Sequence, residues 1–475
     1  MILYIKKYWQ WLLTLFFGVT VFLFWFYPYK SVLSFHEQYQ LFLFSKSYLM
    51  QFLAFPGGIC SYLGSFLTQF YFVPFVGAII LAVLFVIMQR LTWLLSNDGA
   101  DTDFNYLFSF VPSIILWRYM GDENVMLSFV ISLILVQVLT LVYQKIRLTK
   151  VRYIYILMAV PLFYWFFGIS VYIFVFYVLI YELLKKNSLL SILSLFIVLV
   201  TIVLVSLFIQ YPFYRLFLGI GYYRYPMEVP YLQFLTIAVF SVWPYLMNMI
   251  PTKWSDKIYK KIVTAGVIII GGAFFVAWGY NTLKYDLIDY DYLVRTGQWE
   301  ILINKAEKRQ ASTPMGVACV NLALVKTNQL GDRIFEFYQN GADGLIPPFQ
   351  RDMFTPVSTG EIFYNLGMVN DAQRYFFEAQ EAIPDYQKSG RLTKRLAETN
   401  LINGDYKVAA KYLRTLEKTL FYKDWAEKTM TILGHENEIN KSPMYGHLRQ
   451  FRQKKHDNLF SDTEMDQMLG LLFAG

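Results

Sequence analysis

Glu37, Asp122 and Glu123 are carboxylates set in largely apolar stretches, each close to a cation or an imidazole. Glu37 stands between His36 and Gln38, Asp122 and Glu123 closely follow Arg118, and Arg215 and Arg224 punctuate the tyrosine-rich run from Gln210 to Pro226. Carboxylates at a membrane surface can bind a divalent cation or take a proton as a general base. Arginines beside them can grip a phosphate through paired hydrogen bonds. Glu37, Asp122 and Glu123 are therefore the candidate catalytic groups, with Glu37 and Asp122 as candidate ligands of a divalent cation such as Mg or Mn. His36, Arg118, Arg215 and Arg224 are the candidate substrate contacts. Ordinary loop charges anchored at the headgroup level use the same residue types, so that reading stays open beside the catalytic one.

The elements that carry these residues are written in the composition. Of 475 residues 56% are hydrophobic, 16% charged and 19% aromatic, with a mean hydropathy of +0.39. Soluble domains carry roughly 25% charged residues, so this balance places most of the chain in a membrane. The charge is also divided: residues 1–282 hold 18 Lys/Arg against 9 Asp/Glu, whereas residues 283–475 hold 24 against 25. The basic excess thus belongs to the apolar half, where loop lysines explain it better than nucleic acid does. Cys60 and Cys319 are the only cysteines and stand far apart, which excludes a zinc motif and reads as two isolated buried thiols.

Apolar runs long enough to cross a bilayer, about 20 residues, are expected near 9–27, 72–95, 104–118, 123–143, 153–168, 170–184, 189–209, 232–250 and 262–282. The fifth and sixth share one stretch hinged around Gly168 and Ser170, and a single tilted helix there would invert everything downstream. With nine spans, 13 Lys/Arg of the membrane half fall on one side, among them Lys6, Lys7, Arg90, Lys145 and Lys253. Only Lys30, Lys46, Arg118, Arg215 and Arg224 fall on the other. That bias predicts a cytoplasmic N-terminus, an uncleaved first span and an extracytoplasmic segment 283–475 in a multi-pass cell (inner) membrane protein. Glu37, Asp122, Glu123 and Glu228 are then the outward acids of the membrane half. The long first outer loop, 28–69, is too polar for a span and too apolar for a free loop; it reads as helices along the membrane surface, turned at Pro56-Gly57-Gly58. No charge lies at mid-span; Glu182 is expected to pair with Lys186 four residues on.

Past Tyr285 charges become dense. Ala372, Phe376, Ala379 and Pro384, with Gly360 and Phe363 before them, resemble a tetratricopeptide repeat. Further helix–turn–helix junctions are expected at Gly297-Gln298-Trp299, Gly331-Asp332-Arg333 and Asn403-Gly404-Asp405-Tyr406, the last followed by Ala409, Leu413 and Leu416. Met468 to Phe473 would cap the last repeat, and the basic run Arg449 to His456 has no nucleic acid to meet outside the cell. The expected fold is all-α: a polytopic membrane helix bundle over residues 1–282, then a helical repeat (TPR-like) domain over 283–475.

His36-Glu37-Gln38, Pro56-Gly57-Gly58 and the helical C-terminal part together resemble an uncharacterised family of bacterial multispanning membrane proteins. More distantly, the chain is similar to the C-type (GT-C) membrane glycosyltransferases, in which outer loops supply acids and a soluble outer domain often closes the chain. That resemblance implies inverting transfer of a sugar from a polyprenyl-phosphate carrier to an extracytoplasmic acceptor. Glu37 would stand for the first-loop acid, Asp122 or Glu123 for the second, and Arg215 or Arg224 would stabilise the leaving phosphate. The sequence departs from the pattern in showing His-Glu where an Asp is usual. Two other classes compete. One is a non-catalytic membrane scaffold whose outward repeats bind a protein or peptide of the cell envelope. The other is a transporter of a lipid-linked glycan, which the lack of mid-span charge disfavours.

Overall fold

The structure is a computed structural model that describes residues 2–96, 103–224, 230–249, 258–279, 281–345, 347–348, 355–383 and 387–451. The chain divides into two compact units, Met1–Leu33 with Ser45–Tyr280, and Ser34–Phe44 with Asn281–Gly475. The described residues are overwhelmingly α-helical, and a single antiparallel bridge, Val125 to Arg224, is the strand-like pairing among them.

In the first unit α1 (Ile2–Phe26) is followed by α2 (Lys30–Gln38), whose end passes into the second unit, then by α3 (Lys46–Leu53) and α4 (Gly58–Thr68). Gly57, at φ +80°, makes the turn expected at Pro56-Gly57-Gly58 and donates its N–H to the Trp165 carbonyl at 2.8 Å. Next come α5 (Pro74–Ser96), α6 (Asp103–Phe108), α7 (Phe110–Met120), α8 (Leu127–Lys145), α9 (Thr149–Phe167), α10 (Val171–Leu184) and α11 (Ser188–Phe208). A short α12 (Phe213–Leu218), α13 (Tyr231–Asn248) and α14 (Ile258–Ala277) complete the unit. α5 packs on α1 and α8, α10 on α11 and α13, and α14 on α7.

Each of the nine expected segments overlaps a described helix, but among the described residues only six helical stretches are long and apolar enough to cross a membrane. The run 104–118 is divided between α6 and α7, α13 falls short, and 149–184 counts as one stretch. That stretch is nevertheless a hairpin. Arg152 at its start donates to Glu182 near its end at 3.0 Å, whereas an unbroken helix would hold them about 45 Å apart. The reversal occurs at Gly168, whose φ of +55° and ψ of −139° suit glycine alone. The Glu182 expectation needs correction. Its carboxylate accepts from Arg152, which the hairpin returns to it, from Tyr143 on the neighbouring α8 and from Asn187 just beyond α10, where the backbone of Lys186 has turned to φ +62°.

The second unit runs through α15 (Thr282–Thr296), α16 (Trp299–Lys308), α17 (Pro314–Lys326), α18 (Leu330–Arg333), α19 (Thr355–Leu366) and α20 (Val369–Glu381). It continues as α21 (Gly390–Asn403), α22 (Tyr406–Leu416), α23 (Lys423–Ile432), α24 (Glu436–Lys441) and α25 (Tyr445–Phe451). Thr313 and Ser389 cap α17 and α21 by accepting backbone N–H groups, and Gly297 and Gly404 end α15 and α21 in the left-handed conformation. From α19 to α23 each helix packs on the next. Ala372, Phe376 and Ala379 are fully buried on α20, as are Ala409, Leu413 and Leu416 on α22. Gly360 leaves room for the Phe376 ring, since a Cβ there would lie 2.6 Å from it.

The junction expected at Gly331-Asp332-Arg333 is displaced. The turn lies at Asn328, φ +57°, and Gly331 to Arg333 fall inside the four-residue α18. Asn tolerates the left-handed region well enough to take that turn. Pro384, Glu228, residues 452–456 of the basic run and Met468 to Phe473 lie outside the described residues.

Candidate functional site

The candidate residues fall in two units: His36 and Glu37 in the second, Arg118, Asp122, Glu123, Arg215 and Arg224 in the first.

In the first unit the loop after α7 closes on itself. Asp122 Oδ1 accepts the backbone N–H of Asn124 at 3.0 Å and its Nδ2 at 3.1 Å, while Asp122 Oδ2 accepts Arg224 Nη2 at 2.7 Å and Nε at 3.1 Å. Glu123 Oε1 accepts from the same Asn124 amide at 3.2 Å. The backbone reinforces this clasp: Met126 N–H donates to the Tyr223 carbonyl, and Tyr223 Oη donates to the Phe167 carbonyl at 2.6 Å. Arg215 lies 3.8 Å over the Tyr211 ring and donates to the Ile220 carbonyl. The structure thus brings Asp122, Glu123 and Arg224 together within the first unit, whereas Glu37 belongs to the second. Both oxygens of Asp122 are already accepting, however, so the carboxylate serves chiefly to join two loops.

Arg118 is different. Its half-buried guanidinium rests against Gly279, where a Cβ would collide with it, and its side chain has no hydrogen-bond or ion-pair partner among the described residues.

In the second unit, Ser34–Phe44 is built into the helical stack. Leu41 N–H donates to the Lys388 carbonyl and Phe44 N–H to the Lys418 carbonyl, both at 2.8 Å, and Leu41 enters an apolar cluster with Ala397, Leu413 and Leu416. His36 and Glu37 are both buried. Glu37 Oε1 accepts from Tyr422 Oη at 2.9 Å, and its Oε2 lies 4.0 Å from Arg295 Nη1. Burial pushes the Glu37 carboxyl above its ordinary value, against the pull of Arg295, Tyr422 and Arg391.

Next to it lies an ion network that sequence reasoning missed. Arg391 donates to Asp291 at 2.7 and 3.1 Å, to Glu361 at 3.0 Å and to Gln38 at 2.8 Å. Arg395 donates to both Glu361 oxygens, at 3.0 and 2.8 Å, and to Glu398 at 2.6 Å. Burial opposes the Glu361 charge, but Arg395 and Arg391 outweigh it and hold that carboxyl at about 2. One signal was present: Asp291 and Glu361 interrupt largely apolar helix faces, the first among Leu287, Ile288 and Val294 and the second between Val357 and Tyr364.

Among the described residues no three His, Cys, Asp or Glu side chains converge to hold a metal ion. Cys60 and Cys319 are buried free thiols, and burial pushes the Cys319 thiol up. Neither the curated proteins nor the solved structures contain a match to the chain. A family model does match, across residues 6–475, and the chain accordingly belongs to DUF6057, a family of unknown function.

Proposed function

We propose that this protein is a membrane-anchored scaffold whose helical repeats, over residues 281–475, recruit a cell-envelope protein or peptide outside the cytoplasm. The observation that carries the reading is the engagement of Glu37. The carboxylate best placed to be a first-loop base is buried in the helical stack, takes a hydrogen bond from Tyr422 and lies beside Arg295. A general base must reach its substrate's proton, and a side chain so enclosed does not. Asp122 likewise spends both oxygens on Arg224 and Asn124. The sequential packing of α19 to α23 suits a repeat architecture, in which stacked pairs bury one face and offer the other.

The outward orientation rests on the 13-to-5 partition of Lys/Arg, and the α9–α10 hairpin supports the nine-span count on which that partition depends. The transferase reading, with Glu37, Asp122 and Glu123 acting on a polyprenyl-phosphate sugar and a divalent cation, is the alternative. The lipid-linked glycan transporter is a third.

Complementation of a deletion strain separates the first two. The scaffold reading expects Glu37→Gln and Asp122→Asn to restore the wild-type phenotype. Replacing the exposed Phe335 and Phe377 with Ser should abolish it, since Phe335 is 91% exposed and can be lost without unfolding. Inactive Glu37→Gln and Asp122→Asn proteins at normal expression, with altered lipid-linked glycans, would establish the transferase instead.

A further inference from the structure

Between α1, α7 and α14 the first unit holds a cavity of about 310 Å3. Leu13 and Phe24 mark its two ends on α1, Ile114 and Trp117 face it from α7, and the small residues Gly272 and Ala273 open it on α14. The lining is apolar apart from the Trp117 indole N–H and the hydroxyl of Thr20, which is already spent on the Phe16 carbonyl at 2.8 Å. From Leu13 to Phe24 α1 rises about 17 Å, close to half of a ~30 Å hydrocarbon core. The cavity therefore has the length of one leaflet.

Two polar groups at one end lack hydrogen-bond or ion-pair partners among the described residues. Trp117, 7% exposed, lines the cavity, and its buried indole Nε1 has no hydrogen-bond partner. Arg118, the next residue, lies against Gly279, two positions beyond the lining residue Ala277, and is the guanidinium without a partner described above. An indole N–H and a cation in this state at a membrane depth are costly unless something accepts from them. An apolar trough one leaflet long, ending in two orphan donors, matches one molecule: a phospholipid with an acyl chain in the trough and its phosphate at the arginine.

We propose that the α1–α7–α14 cavity is a phospholipid site, in which Arg118 binds the phosphate, Trp117 donates to the phosphate or the adjoining ester, and the trough takes one acyl chain. The site is independent of the scaffold reading, because its residues all belong to the first unit and none takes part in the repeats.

The test uses the full-length protein, delipidated in detergent, and native mass spectrometry to read the lipid retained on titration with phosphatidylglycerol, with diacylglycerol or with a polyprenyl phosphate. Wild type is expected to hold one phosphatidylglycerol in preference to diacylglycerol. Arg118→Gln should weaken that binding roughly tenfold, as expected for a lost charge-assisted pair, and leave diacylglycerol untouched. Ala273→Phe, which fills the trough on an exposed face of α14, should weaken both lipids. Equal binding of phosphatidylglycerol and diacylglycerol by wild type and by both variants would overturn the site. Stoichiometric displacement of phosphatidylglycerol by polyprenyl phosphate would overturn the phospholipid assignment in favour of an isoprenoid carrier.

Discussion

The Arg391–Glu361 network of the second unit and the Arg224–Asp122 clasp of the first join arginine to carboxylate under very different conditions. Arg391 and Glu361 expose 5% and 1% of their side chains, whereas Arg224 and Asp122 expose 15% and 22%. The buried group is a mesh: Arg391 and Arg395 share Glu361, Asp291, Gln38 and Glu398 complete the arginines' hydrogen bonding, and Ser358 donates to Asp291. The more open group is a clasp between two loops, wet enough for water to replace a lost partner. The same chemistry therefore carries different weight in the two places. A buried pair owes its importance less to its attraction than to the charge stranded when one partner goes. A solvated pair strands nothing.

Glu361→Gln is the sharpest way to break this contrast. It leaves Arg391 and Arg395 short of a counter-charge in a dry interior and should cost about 3–5 kcal/mol. Hydrogen exchange in α19 and α21 of the full-length protein, compared with exchange in α8 as an internal reference, reads the loss. A change confined to a few tenths of a kcal/mol would mean that water reaches the network.

The pH dependence follows from the same group. Glu361 is held at about 2 against 4.5 for an ordinary carboxyl, so its contribution is present above 4.5 and lost as the pH falls toward 2. Glu37 runs the other way. Its native value is raised, so its contribution is complete below 4.5 and is lost as the pH rises through that native value. Melting curves of wild type should show the acid loss, and Glu361→Gln should flatten it. An acid limb unchanged in that variant would assign the loss to other carboxylates.

Gly360→Ala tests packing in the same stack. The new Cβ would approach Phe376 to 2.6 Å, and the rearrangement should cost about 1–3 kcal/mol, visible as faster exchange in α19 and α20. The smallest effect belongs to the first unit. Asp122→Asn should cost no more than about 1 kcal/mol in thermal stability, because its pair with Arg224 is partly solvated. A larger loss would show that the loop clasp holds the bundle together and would erase the contrast between the two regions.

The helices of the membrane half were legible because apolar runs announce themselves without any partner. The turns at Gly57, Gly168, Gly297 and Gly404 were legible because only glycine takes their backbone angles cheaply. Ala372, Phe376 and Ala379 could be named as core because a 3.6-residue period fixes which side chains share a face. Asn328 was overlooked for the opposite reason: a non-glycine residue in the left-handed region leaves a weaker mark than the Gly331 nearby, which drew the expected junction three residues downstream.

Local pattern in this sequence thus determined the helices, most of their ends and the buried face of each amphipathic one, because each depends on neighbours within a turn or two. Charge pairing depended on residues that the chain brings back from far away. Glu37 meets Tyr422 385 positions on, Arg391 meets Asp291 across 100, and Asp122 meets Arg224 across 102. An acid followed by a lysine four residues later suggests a partner, as Glu182 and Lys186 did, yet the α9–α10 hairpin supplied Arg152 instead. Whether a carboxylate becomes a base, a latch or part of a core depends on the water left around it. Only tertiary packing decided that, by closing the helical stack over Glu37 and leaving Arg118 without a partner at the end of an apolar cavity.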